Sequence, residues 1–103
     1  MKNKPANVRV AHIRFPAEDG SIDNRGGATV AAEVAANHQV IKFAVAYCHR
    51  NDNFNKVLGW NKAVGRVVSK EEFKVPGAPI EWRELVKLYR DYAATGASYN
   101  GTV

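Results

Sequence analysis

The hydropathy period changes once along this chain, and the place of that change limits the fold more than any single residue does. Up to Cys48 the apolar residues fall in short runs of strand character: Val8 to Phe15 (VRVAHIRF), Ala28 to Val34 (ATVAAEV) and Val40 to Cys48 (VIKFAVAYC). Runs of this length, rich in Val, Ile and Phe and bounded by turn residues, read as strands. From Asn51 the spacing lengthens. Phe54, Val57, Trp60, Val64 and Val67 recur at steps of three and four, and Trp82, Leu85, Val86, Tyr89 and Tyr92 repeat the pattern. That is the mark of an amphipathic helix. Strands first and helices last predict an α+β domain, an N-terminal antiparallel sheet followed by two α-helices that pack on it or extend from it. Short links between the strands favour antiparallel pairing.

The boundaries follow from breakers and caps. Pro16 ends the first strand, and residues 17–27 (AEDGSIDNRGG) read as a wide polar loop. Asn37-His38-Gln39 forms the next turn, and Asp52 is the expected N-cap of the first helix. Val75-Pro76-Gly77-Ala78-Pro79 breaks the chain, Pro79 suits the first turn of the second helix, and Gly96 is its stop. Glu81 and Glu84 fall near that helix's positive end. The 103 residues make one domain, with residues 1–5 and 97–103 as arms that are mobile or reach a neighbour.

Fifteen Lys and Arg against ten Asp and Glu leave a formal charge of +5. This balance favours anionic partners, and it also serves solubility alone. The one cysteine, Cys48, excludes a disulfide framework and a Cys-rich zinc site, and points to a reducing, cytoplasmic compartment. No apolar run follows Met1-Lys2-Asn3-Lys4-Pro5, and no stretch approaches a membrane span. His12, His38 and His49 are scattered without metal-ligand spacing, and Cys48 and His49, as strand neighbours, point to opposite faces. No phosphate-binding loop, nucleophile elbow or dinucleotide fingerprint is present. The expectation is a binding protein without catalytic residues, cofactor or metal.

The stretch Cys48 to Lys70 (CHRNDNFNKVLGWNKAVGRVVSK) carries the binding chemistry. On a helix Asn55, Gly59, Lys62, Arg66 and Lys70 share one face. Stacked cations at four-residue steps repel by a few tenths of a kcal/mol each, about as much as an opposite pair gains, unless an anion lies between them. Gly59 and Ala63 leave that side without bulk, which admits a flat ligand or a packed helix. Asn53 and Phe54 at the helix start, with Lys62 and Arg66, could stack a base and hold its phosphates. Phe54 and Trp60 are more often core residues than base-stacking platforms. Arg50 ends the strongest strand, Arg25 stands beside Gly26 and Gly27, and Arg90 lies late in the second helix. Each is a candidate for the same anion, as Asn61 is for its polar edges.

The block FAVAYCHRNDNFNKVLGWNKAVGRVV resembles the phage anti-Thoeris sponge family, the first described type, which captures cyclic ADP-ribose-type immune signals without degrading them. In that pattern a strand ends in Cys, Asp-x-Phe follows, and a helix carries spaced Gly and Gly-Arg. The matching positions are Asp52, Phe54, Gly59, Gly65 and Arg66. The resemblance covers about a third of the chain and implies a homo-oligomer, often a hexamer, assembled through its helices, with pockets at subunit junctions. It also implies a cyclic oligonucleotide site in some members. Trp60 stands where a basic residue is expected, and Val67-Val68 where a small residue and Gly-Arg usually follow, which weakens that second site.

The resulting expectation is a non-enzymatic phage anti-defence protein in the cytoplasm of the infected bacterial host, sequestering a small cyclic nucleotide. Arg25, Arg50, Asn53, Phe54, Asn61, Lys62, Arg66 and Arg90 are the candidate ligand residues. A basic DNA- or RNA-binding module and an inhibitor of a host protein are the competing readings.

Overall fold

The computed structural model describes residues 7–15, 25–69 and 72–94, and for 49–51, 93 and 94 the backbone alone. Three strands, β1 (Val8–Ile13), β2 (Arg25–Val34) and β3 (Val40–Asn53), precede two helices, α1 (Lys56–Val68) and α2 (Trp82–Ala94). The strands form one antiparallel sheet in the order β1-β2-β3. The expected α+β architecture, sheet first and two helices after, is the one observed. No described helix is long and apolar enough to cross a membrane.

The two-residue alternation of strands divides the sheet between the helices. Ile13, Ala28, Val30, Ala32, Val34, Val40 and Val45 form one core with Leu85 of α2. Val8, Ala31, Ala44 and Ala46 form another with Trp60, Ala63, Val64 and Val67 of α1. The helices therefore cover opposite faces, giving three layers. Alanine at Ala31, Ala44 and Ala46 keeps the α1 face of the sheet shallow, so the helix lies close to it. Gly59 completes that approach, because a Cβ there would collide with the Thr29 side chain. Its absent side chain serves helix-on-sheet packing within one chain. Gly65 is different: nothing lies within 4 Å of where its Cβ would stand.

Several boundaries move. β3 runs on through Asn53, five residues past Cys48, and the helix begins later than expected. Asn55, not Asp52, is the N-cap of α1, its side-chain oxygen accepting from the Leu58 N–H at 2.9 Å. An Asx side chain at either position could cap, and the choice is decided by how far β2 continues to pair. β2 itself begins at Arg25, so Arg25, Gly26 and Gly27 belong to a strand and not to a loop. Gly26 (φ 71°) and Gly27 (φ 126°) take positive φ, where only glycine is unstrained. Between them the register jumps from Arg25↔Asn53 to Gly27↔Cys48, so β3 bulges. α2 starts at Trp82, after Pro79, with the Glu81 N–H bonded to Glu84 Oε1 at 3.2 Å.

The β2–β3 turn lies at Asn37-His38-Gln39 as expected, with His38 at φ 66° and its N–H bonded to Ala35 O at 2.9 Å. The outer edge of β3 is partly covered by the segment leading into α2, through bridges Phe43↔Lys74 and Gln39↔Glu81. Val57 of the α1 periodic set is about half exposed, and Tyr92 of the α2 set nearly so. Pro16, the arms at 1–5 and 97–103, Lys70 and Gly96 lie outside the described residues.

Candidate ligand cleft

The bulge in β3 and the start of α1 enclose a cleft of about 310 Å³. Its floor is Thr29 of β2 and Ala46 of β3, and its walls carry Cys48, Asp52, Asn53, Phe54, Asn55, Gly59 and Lys62. Thr29 is fully buried. Gly59 packs directly over it, the Thr29 side chain taking the room that a helix side chain would need. The late helix start matters here too: Asp52 and Asn53, still in β3, line the cleft before Asn55 starts the helix.

The Phe54 ring is half-buried and held on several sides. Gly27 backs it, since a Cβ on Gly27 would lie 3.0 Å from Phe54 Cδ2 and 2.5 Å from the Ile13 carbonyl. The His12 ring meets it edge-on at 5.7 Å between centroids, and the Arg14 guanidinium carbon lies 4.7 Å from its centre. Gly27 thus makes room for an aromatic side chain, a use its sequence position does not announce. His12 Nδ1 also pairs with Thr29 Oγ1 at 2.9 Å beneath the floor. Burial first, then the charges of Lys56 and Arg14, hold the His12 imidazole below its ordinary pKa of 6.5. Cys48 points its thiol at the carbonyls of Asp52 and Asn53, at 3.5 and 3.6 Å, and burial pushes its pKa up. A thiol kept protonated and bonded to backbone pins the bulge; it is poorly placed as a nucleophile.

Of the candidate residues, Asn53, Phe54 and Lys62 line this cleft together. Arg25 stands opposite Asn53 in the strand register, beside the cleft but outside its lining. Arg66 shares the helix face of Gly59 and Lys62, yet its guanidinium is engaged within the chain. Its Nη1 donates to the Val45 carbonyl at 2.7 Å and its Nε lies 3.5 Å from Glu72. The sheet edge offers an unpaired carbonyl within reach, and that claims the guanidinium. Asn61 is exposed and lies about 200° around the helix from Gly59, at about 100° per residue, so it faces away from the cleft. Arg90 belongs to α2, on the opposite face of the sheet, and cannot join Lys62 within one chain. The side chain of Arg50 lies outside the described residues.

His12, Arg14, Thr29 and Asn55 were not among the sequence candidates. The alternation of β1 places His12 on the α1 face, but the sequence alone does not set the register His12↔Thr29 that brings it under the cleft. The order of residues is chemically coherent: one aromatic ring, two amides, one carboxylate, one ammonium and a buried hydroxyl. Nothing matches beyond it. No family model, curated protein or solved structure is similar to this chain by comparison.

Proposed function

We propose that this chain is a non-enzymatic phage anti-defence protein that binds and sequesters a cyclic nucleotide immune signal of the cyclic ADP-ribose type, in the cytoplasm of an infected bacterial host. The observation that carries the reading is the convergence of Phe54, Asn53, Asn55 and Lys62 on one cleft of about 310 Å³. That is the low end of small-molecule pockets. The resemblance of the Asp52–Arg66 stretch to the anti-Thoeris sponge family supports the same class of ligand.

In this reading the base or ribose stacks on Phe54, whose ring is preorganised by Gly27, His12 and Arg14. Asn53 and Asn55 bond polar edges, and Asp52 accepts from ribose hydroxyls. Lys62 neutralises a phosphate, its charge-assisted bond strengthened as the ligand excludes water. One ammonium is little for a pyrophosphate, so a homo-oligomer, up to a hexamer, completes the site with a cation from a neighbouring copy. Capture needs no acid–base pair, and His12, beside the cleft, is turned to Thr29 and the ring of Phe54.

Native mass spectrometry with a panel of cyclic nucleotides tests this reading. The expected result is an oligomer that retains one ligand of the panel and releases it with unchanged mass on denaturation. Failure to retain any nucleotide at micromolar concentration overturns it. A released ligand of altered mass overturns the non-enzymatic part. Affinity for long DNA or RNA that falls steeply with salt would favour the nucleic-acid module instead.

A further inference from the structure

A second cavity, of about 350 Å³, lies on the other face of the sheet and is lined by Arg9, His38, Glu81, Trp82 and Arg83. Arg9 comes from β1, His38 from the β2–β3 turn, Glu81 from the residue before α2, and Trp82 and Arg83 from its first turn. Backbone bonds fasten these elements together. The Trp82 N–H donates to His38 O at 3.0 Å, and the Val40 N–H donates to Ile80 O at 2.9 Å. His38 holds a left-handed φ of 66° in this frame, which places an exposed imidazole at the cavity rim. The walls are therefore set by the fold.

The side chains present a particular chemistry. Two guanidiniums from different elements share a wall with one half-buried indole, and one carboxylate lies among them. Arg83 is in the first turn of α2, where the helix dipole disfavours a cation. An anion held between Arg83 and Arg9 would relieve that repulsion. A guanidinium pair matches a phosphate geometrically, through parallel N–H donors. An indole face beside it suits a flat ring. The Glu81 carboxylate can accept from a ring amino group.

We infer that this cavity is a second binding site, for a nucleoside monophosphate unit, its phosphate between Arg9 and Arg83 and its base on Trp82. It is separated from the Phe54 cleft by the sheet and does not depend on what that cleft holds. The unit could be a free mononucleotide or one nucleotide of a single strand.

The test uses the full chain labelled with ¹⁵N, following the Trp82 indole N–H while adenosine and guanosine monophosphates, or a short single-stranded oligonucleotide, are added. The expected result is a saturable shift of the Trp82 indole. In the Arg9→Gln, Arg83→Gln double variant affinity falls at least about tenfold, while Lys62→Gln leaves it unchanged. The backbone spectrum of the double variant, if unchanged, establishes that it is folded, and each single variant gives the same comparison if it is not. Tighter binding of the oligonucleotide than of the monophosphates assigns the unit to a strand; equal binding assigns it to the free nucleotide. No indole shift at millimolar nucleotide overturns the inference. So does a shift that survives loss of both arginines, or one lost with Lys62, since the ligand would then lie in the Phe54 cleft.

Discussion

Arg66 and Val45 are joined across the open side of the sheet: the guanidinium Nη1 of the helix residue donates to the strand carbonyl at 2.7 Å. Phe43, two residues earlier, exchanges both of its backbone bonds with Lys74 on the outer edge of β3. Val45 is the next residue to face that edge, where the Lys74 bridge has already ended. Arg66 thus continues by side chain the edge protection that the backbone bridge begins.

Arg66→Gln removes that donor and is expected to lower stability by about 1.5–3 kcal/mol, the range for a hydrogen bond to a charged group. Urea unfolding followed by circular dichroism measures it. Lys62→Gln, on the same helix face but over the cleft, is expected to leave the midpoint unchanged. Equal losses for both would mean that Arg66 carries no structural bond of its own.

The two glycines of α1 predict opposite outcomes for one substitution. Gly59→Ala gains about 1 kcal/mol of helix propensity, but its methyl collides with the buried Thr29 side chain. Overpacking of this kind costs about 1–3 kcal/mol, which leaves a net destabilisation of up to about 2 kcal/mol. Gly65→Ala meets open space and should stabilise the chain by about 0.5–1 kcal/mol. Thermal unfolding of both variants checks the sign as well as the size.

These contrasts show what was legible beforehand. The change of period told strands from helices, and residue spacing put Gly59 and Lys62 on one helical face. Neither could say that α1 lies on the face of Thr29 and α2 on the other, because each helix alone is compatible with either side. The partner of Arg66 is hidden from residue spacing for the same reason: the Val45 carbonyl is open to a side chain only where the Lys74 bridge on the outer edge of β3 stops. Gly26-Gly27 reads as a turn because positive φ is also what turns need, whereas both lie in a strand and the absent Cβ of Gly27 makes room for Phe54. Asp52 and Asn55 are chemically equivalent caps, and only the extended pairing of β3 chooses between them.

His12 gives the stability a pH dependence of definite sign. Its imidazole pKa is held below 6.5 in the folded chain, chiefly by burial, with Lys56 and Arg14 adding to it. Between the lowered value and 6.5 the unfolded chain binds more protons than the folded one. The contribution is therefore complete above about pH 6.5 and is lost as pH falls toward the folded pKa. The urea midpoint of the unmodified chain should drop more steeply between pH 7 and 5 than that of His12→Gln. Parallel slopes would show that this histidine does not titrate differently on folding.

Cys48 reports on the Phe54 cleft. Its thiol is raised in pKa by burial and donates to the Asp52 and Asn53 carbonyls, so little thiolate is present at pH 8. Reaction with a disulfide reagent such as dithionitrobenzoate should be slower than for a free thiol of ordinary pKa, in line with the smaller thiolate fraction. Gly27→Ala pushes against Phe54 and the Ile13 carbonyl, which loosens the Asp52–Asn53 bulge, and should restore much of the rate. A ligand seated between Phe54 and Lys62 covers Cys48 from the solvent side and should slow the reaction further. Phe54→Leu keeps an apolar wall but removes the stacking face, so it should abolish that protection without unfolding the chain. Protection that persists in Phe54→Leu would place the ligand elsewhere and leave the cleft without the role proposed for it.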